Sequence, residues 1–512
     1  MELTTEADNP NIDSARGKST GDYLLTGVAV MLVVNFAQRI VGLVRGLGFC
    51  HFLSDEQLGN WSLANSFFVI GVPLALLGLP GGFGRFVEHY RRQNHLGDYL
   101  VNVLCVTSLG LLVISVWMLW APNSFSWLVF HQAAAGSYVI WCLVTFISLV
   151  VFSVVYEIVA ALREVRVMSL MQFLQSTVFA LIGLPLIATY GDWLLLLPSY
   201  AIACSLASLL GIAVLWRGYG SELVPRGSLD RCAMWSRIIP FAASLWLMNF
   251  LSNLFEVSDR YMLLHLCSGG VEAGQAAVGQ YHCGRILPNL FVSIALMLSG
   301  VLLPYMSADW ESGRREQIAA SMRQMIQSTC MAFMAISIGA LSFAPLVFQY
   351  GLGGRYGAAE SLLPLALAHV IWVSIFLIAE TYLLCAERGR QLIQVLVAGL
   401  CVNVALNWWL IHAYGLIGAV AATSIAGLFT LLLLFGTLSR NGCSVDVATV
   451  VLCCTPIAVA FGAIPAALIL CIVVVVAGRT NWLLSDADRQ QIDRALLPRL
   501  KRWGVALPTI WP

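Results

Sequence analysis

Apolar residues run through this chain in long blocks separated by short polar breaks, without the half-faced patterns of a water-soluble fold. About fourteen blocks approach the roughly 20 residues that carry a helix across a bilayer. Twelve are read at about 23–44, 58–79, 100–120, 138–162, 167–189, 193–216, 238–266, 286–306, 325–348, 362–386, 391–412 and 416–438. The stretch 447–477 is too long for one span, and Pro456, Gly462 and Pro465 predict two short helices with a turn near Ala463–Ile464. The pattern predicts an all-α, polytopic membrane protein.

The longest basic break, Gly218–Ser236, divides the first twelve blocks into two sets of six. It contains Leu223-Val224-Pro225-Arg226-Gly227-Ser228, a string that matches a protease site used in expression linkers and is set aside from functional reasoning. The halves carry a weak repeat. Ser54 to Trp61 precedes the second span and Glu272 to Tyr281 the eighth; each is a polar turn followed by Gly, one polar residue and an aromatic. Six helices per half give the halves the same orientation, which predicts a pseudo-twofold axis along the membrane normal and a cavity between two lobes. The expected division is a disordered tail at 1–21, an N-terminal six-helix lobe at 22–217, an inter-lobe loop at 218–237 and a C-terminal six-helix lobe at 238–439. A last helix pair at 440–478 follows, then a tail at 479–512 in which Ile492, Leu496, Leu500 and Trp503 predict a short interfacial amphipathic helix.

Positive charge follows the blocks. Arg and Lys fall in every second connection (Arg85, Arg91 and Arg92; Arg163 and Arg166; Arg226, Arg231 and Arg237; Arg314 and Arg315; Arg388 and Arg390; Arg440) and in both tails. That alternation is the positive-inside signature, with both ends in the cytoplasm and the protein in a cytoplasmic (inner) membrane. Composition agrees: 59% of the 512 residues are hydrophobic and 11% charged, with mean hydropathy +0.83. A net charge of +1 gives no electrostatic case for nucleic acid. The 14 cysteines show no metal spacing, and no catalytic motif stands out, so neither a metal nor a cofactor is expected.

The arginines that break the alternation are the candidate chemistry: Arg39, Arg45, Arg260, Arg285 and Arg355. Asn249, Asn253, Glu256 and Arg260 follow one helical face of the seventh span; Asn35, Arg39 and Gly42 do so in the first, with Arg45 a turn further on. Charged groups at this depth face protein or water, because lipid makes them costly. Two polar stripes, one per lobe, suit a hydrophilic cavity. The second and eighth spans add Asn60, Asn65 and Asn289. Guanidinium groups stay charged and grip phosphate with a planar fork, so Arg39, Arg45, Arg260 and Arg285 fit a diphosphate headgroup, with Arg355 in an outer loop at the exit. Snorkelling or carboxylate pairing is the plain alternative for each. Glu256, Asp259 and Glu380 are candidates to bind a driving Na⁺ or H⁺; Glu256 also stands i, i+4 from Arg260. Glu157 is expected to pair with Arg163, and His282, His369 and His412 to be packed or interfacial.

Several stretches resemble the polysaccharide-transporter (oligosaccharide flippase) branch of the multidrug/oligosaccharidyl-lipid/polysaccharide flippase superfamily. They are Tyr156 to Arg163, Val257-Ser258-Asp259-Arg260-Tyr261-Met262-Leu263 with Val278-Gly279-Gln280-Tyr281, Gly415 to Val420, and Leu483 to Arg489. The resemblance implies alternating-access export of polyprenyl-diphosphate-linked oligosaccharide for surface or exopolysaccharide biosynthesis. The headgroup would pass between the lobes while the lipid tail stays in the bilayer. It implies partners among membrane lipids, glycosyltransferases and a polysaccharide polymerase. A drug/cation antiporter of the same superfamily would prefer acidic cavities over this arginine excess. A membrane polymerase or ligase would need a large outer domain, whereas the largest outer connections are about Ala121–Ser137 and Cys267–Gly284.

Overall fold

The computed structural model describes residues 34–132, 136–225, 227, 229–480, 482, 483, 489 and 493. The expected N-terminal tail, the start of the first span and the C-terminal amphipathic helix lie outside the described residues. Every regular element among those described is helical. α1 runs over 34–52. It is followed by α2 (Asp55–Leu76), α3 (Phe83–Arg92), α4 (Leu96–Trp120), α5 (Pro122–Phe130), α6 (Gly136–Ala161), α7 (Val165–Tyr190) and α8 (Leu196–Leu223). The second half holds α9 (Arg231–Leu266), α10 (Gly270–Arg285), α11 (Pro288–Glu311), α12 (Arg315–Leu346), α13 (Gly357–Cys385) and α14 (Gly389–Arg440), then α15 (Val447–Cys454) and α16 (Ala463–Arg479). Ten of the described helices are long and apolar enough to cross a membrane.

Local chemistry sets the breaks. Ser54 caps α2 in a capping box with Gln57, and Asp230 caps α9 by accepting from the amides of Cys232 and Ala233. The continuous run of α14 bends sharply at Gly415, whose φ of 56° and ψ of −128° are open to glycine. It therefore supplies the eleventh and twelfth spans. The last turn falls at Gly462, φ 110°, directly before α16.

Two connections expected as loops are helices. Ala121–Ser137 contains α5, and Cys267–Gly284 is almost wholly α10. The Glu272 to Tyr281 segment is thus a helix and not a polar turn. Its small residues (Gly274, Ala276, Ala277, Gly279) obscured the helical pattern because they serve close backbone packing rather than an apolar face.

Packing joins α2 with α4 and α6, and α6 and α7 with α8, in the first half. In the second half α9 and α13 pack on α14, and α11 and α12 on α13, with α15 and α16 against α12. The halves meet chiefly through α2, which crosses α10 near one membrane face and α9 towards the other. One face carries the arginine-bearing connections, termed here the basic face; the other is the bare face. On the basic face Arg91 of α3 donates to Glu222 of α8 at 2.7 Å. That hydrogen bond to the carboxylate holds the Arg91 guanidinium even more firmly protonated than usual.

Candidate functional site

A cavity of about 300 Å³ lies where the two halves face each other. α1 contributes Gln38, Arg39, Gly42 and Arg45, and α2 contributes Trp61 and Asn65. From the second half come Arg260 of α9, His282 and Arg285 of α10, and Asn289 and Ser293 of α11. Arg39, Arg45, Arg260 and Arg285, expected from the sequence to share one site, do line one cavity. Among its described lining residues none is a carboxylate.

Each guanidinium is held differently. Arg45 reaches Ser176 of α7 at 3.4 Å and lies 4.8 Å from the centre of the Phe179 ring, a cation–π arrangement. Arg260, buried, donates to Ser66 of α2 at 2.9 Å across the seam between halves. Its other terminal nitrogen is 3.7 Å from Glu256, whose side chain is 46% exposed. Arg285, also buried, donates to the hydroxyl of Tyr281 at 3.2 Å. Arg39 is exposed, with Asn289 exposed opposite it, and nothing stands within 4 Å of a side chain built on Gly42. The cavity therefore opens between α1 and α11 towards the basic face. Its first-half wall is aromatic: Phe49, Trp61, Phe179 and Tyr200 pack ring on ring, with Phe179 and Tyr200 stacked at 4.6 Å.

The seam and the bare face are closed. Along the seam Trp246 donates to the Pro73 carbonyl at 3.1 Å and Asn253 to the Val69 carbonyl at 3.3 Å. At the bare face Gln280 donates to Asp55 at 2.5 Å and accepts from the Ala359 amide at 3.1 Å. Arg355 donates to the His51 carbonyl, and the Tyr356 hydroxyl to the Leu53 carbonyl at 3.2 Å. Arg355 and Asn253 thus tie the two halves together and do not line the cavity. Asn249 is exposed on α9, and Asn35 lies below the cavity on α1.

Asp259 sits apart, fully buried in the second half. One carboxylate oxygen accepts from Asn407 at 2.8 Å and Asn403 at 3.2 Å; the other accepts from Thr423 and Tyr281, each at 2.6 Å. The amide oxygen of Asn407 is buried with no partner among the described atoms. Glu380 is half-buried on α13 with no described hydrogen bond or ion pair.

The profile of the family described as "Polysaccharide biosynthesis protein" matches residues 24–310, more than half of the chain. The chain belongs to that family. Among curated protein sequences none matches it significantly. Among solved structures, it superimposes on the lipid II flippase MurJ in an inward-closed conformation with TM-score 0.66 at 13% identity, over 89% of this chain and 95% of that one. It superimposes on an inward-facing multidrug-resistance MATE-family transporter of the MOP superfamily with TM-score 0.65 at 14% identity, over 80% of this chain and 98% of that one. This member of the polysaccharide biosynthesis family is therefore a multi-pass membrane protein with the MOP-superfamily transporter fold.

Sequence reasoning missed the companions of Asp259. Asn403 and Asn407 stand i, i+4 inside an apolar span, a readable signal; Thr423 carries none, since threonine commonly bonds its own helix backbone. It also expected His282 to be packed or interfacial, and that residue lines the cavity.

Proposed function

We propose that this protein moves a polyprenyl-diphosphate-linked oligosaccharide across the membrane by alternating access, for export of a surface polysaccharide. The observation that carries the reading is the convergence of Arg39, Arg45, Arg260 and Arg285 on one cavity whose described lining holds no carboxylate. Planar guanidinium forks from two opposed halves match the two phosphates of a diphosphate. The aromatic wall offers flat apolar faces to the first sugar. A cavity of about 300 Å³ is at the low end for ligand sites. It suits the diphosphate and the nearest sugar, so the halves must part further to pass a whole oligosaccharide.

The positive-inside pattern supports a basic face in the cytoplasm, with both termini there. The substrate then arrives through the opening between α1 and α11, and Arg355, on the bare face, stands at the exit. Glycosyltransferases would supply the loaded lipid, and a polymerase would consume the sugar outside.

For coupling, Asp259 is the strongest of the three carboxylate candidates. Rotating the Asn403 and Asn407 amides would turn donors into oxygen ligands around its carboxylate, and Asn407 already has an oxygen to spare. An all-oxygen set of this kind fits Na⁺ better than a bare proton, which needs no amide oxygens. Glu256 faces Arg260, so its role lies with the cavity charge.

The test is reconstitution into liposomes with a fluorescent polyprenyl-diphosphate oligosaccharide in the inner leaflet equivalent. Flipping should require the protein and be accelerated by an imposed Na⁺ gradient. Equal flipping of a polyprenyl glycan without phosphate would reject the diphosphate reading.

A further inference from the structure

Tyr281 has one hydroxyl and two charged neighbours. It donates to Asp259 at 2.6 Å and accepts from Arg285 at 3.2 Å. The Arg285 guanidinium also lies 5.5 Å from the centre of its ring. Tyr281 is 2% exposed and Asp259 0%, so water does not replace either bond. A single oxygen therefore joins a buried carboxylate in the second half to an arginine of the central cavity. The two residues before it face a different task. Gly279 is at the crossing with α2, and Gln280 holds Asp55 at the bare face. One turn of α10 thus touches the carboxylate, the cavity and the closed face.

We infer that Tyr281 is the positioning residue through which the state of Asp259 sets the anion affinity of the cavity and the grip of α10 on α2. The inference rests on the reading above of Asp259 as the ion-coupling group and of the cavity as a diphosphate site. While Asp259 is a bare carboxylate, it orients the tyrosine hydroxyl, and the hydroxyl lone pairs occupy one donor of the Arg285 guanidinium that lines the cavity. The arginine then shares its charge with Asp259 instead of offering all of it to a ligand. A cation on Asp259 takes over the carboxylate, and the tyrosine loses its charge-assisted acceptor. Arg285 becomes available to the cavity, and α10 loses an anchor just below the Gly279 crossing. Linkage makes the effect reciprocal: an anion in the cavity raises the affinity of Asp259 for the cation by the same factor. Glu256, beside Arg260 but outside the cavity lining, and His282, in the cavity wall, do not touch Asp259 in any described contact. α10 carries all three contacts and is the element through which such coupling would run.

The experiment uses the full chain in detergent with inorganic pyrophosphate as the probe, measured by calorimetry with Na⁺ or with choline at equal ionic strength. In the unaltered protein Na⁺ should tighten pyrophosphate binding by about five- to tenfold. Tyr281→Phe keeps the ring and its packing. It should still bind pyrophosphate, with the Na⁺ effect reduced to within about twofold. Asp259→Asn should bind more tightly without Na⁺ and ignore Na⁺. A Tyr281→Phe protein with the full Na⁺ response overturns the tyrosine link and leaves the transport reading standing. An unaltered protein with no Na⁺ response overturns both the coupling role of Asp259 and this inference. An unaltered protein that does not bind pyrophosphate overturns the diphosphate site itself. If Tyr281→Phe loses its monodisperse elution profile, Asp259→Asn decides: tighter binding supports the link, and unchanged or weaker binding overturns it.

Discussion

Gly59 of α2 and Gly279 of α10 stand in the same relation to each other from both sides. A side-chain carbon on Gly59 would fall 1.9 Å from the Gln275 carbonyl oxygen, and one on Gly279 would fall 1.9 Å from the Asp55 carbonyl oxygen. Each obstructing carbonyl belongs to the residue one helical turn before the partner glycine. Reciprocity of this kind is what a local twofold axis between two helices produces, and it matches the repeat in which Gly59-Asn60-Trp61 and Gly279-Gln280-Tyr281 correspond. Small residues let helix backbones touch in this way inside a membrane. The oxygens in the way are backbone atoms, so no rotamer change relieves the clash.

The crossing is therefore a close backbone contact that an alanine should prop open. Gly59→Ala or Gly279→Ala should destabilise the closed bare face by about 1–3 kcal/mol, the usual cost of overpacking. In a background stripped of native cysteines, a reporter at Ser176→Cys should become more reactive to an impermeant thiol reagent added at the bare face. Unchanged labelling together with normal flipping would show that the crossing is not what closes this face.

The hydrogen bonds around the crossing should matter less than the crossing itself. Gln280, Arg355, His51 and Asp55 are partly exposed, and such bonds contribute about 0.5–1.5 kcal/mol net. Gln280→Ala and Arg355→Ala should each raise labelling of the same reporter slightly, and the double variant by roughly the sum if the two act independently. Loss of all substrate binding in Arg355→Ala would instead place that arginine in the binding site.

The cavity was legible because charge in an apolar span is costly and has few explanations. Arg39, Arg45, Arg260 and Arg285 stood out on that ground alone, and all four line it. The same reasoning over-read the stripe on α9. Asn253 and Arg260 face α2, whereas Asn249 and Glu256 turn outward, because the stripe is wider than the seam it packs against. α10 was read as a loop because its small residues answer to a partner helix that sequence periodicity does not display. The Asp259 cluster is assembled from α9, α10 and both arms of α14; its carboxylate and the Asn403 and Asn407 pair broke the apolar pattern, but periodicity within one span could not join them.

The cavity arginines should not tolerate lysine. Arg39→Ala and Arg260→Ala should each abolish polysaccharide export while protein levels stay near normal. Arg260→Lys should restore little, since an ammonium cannot span Ser66, Glu256 and a phosphate at once as the guanidinium fork does. The check is export in a strain lacking the gene, with membrane protein measured in parallel. Full export by both alanine variants would remove the phosphate grip from the account.

Glu256 and Glu380 should separate cavity charge from ion coupling. Glu256 is 3.7 Å from Arg260, so Glu256→Gln should strengthen anion binding about two- to fivefold and leave the response to a Na⁺ gradient intact. Glu380 has a different setting. It lies on the same face of α13 as Phe376 and Leu377, which with Ser252, Phe255 and Thr430 line a void of about 110 Å³. Phe255 is one turn before Asp259 on α9, so the void lies between Glu380, near the basic face, and the Asp259 cluster. Glu380 is thus set across a mostly apolar void from Asp259, and on the proposed reading of Asp259 it is the carboxylate to test for a part in ion access. Glu380→Gln should leave pyrophosphate affinity unchanged and blunt the acceleration of flipping by an imposed Na⁺ gradient. Should Glu380→Gln match the unaltered protein in every gradient while Asp259→Asn does not, the ion reaches Asp259 by another route.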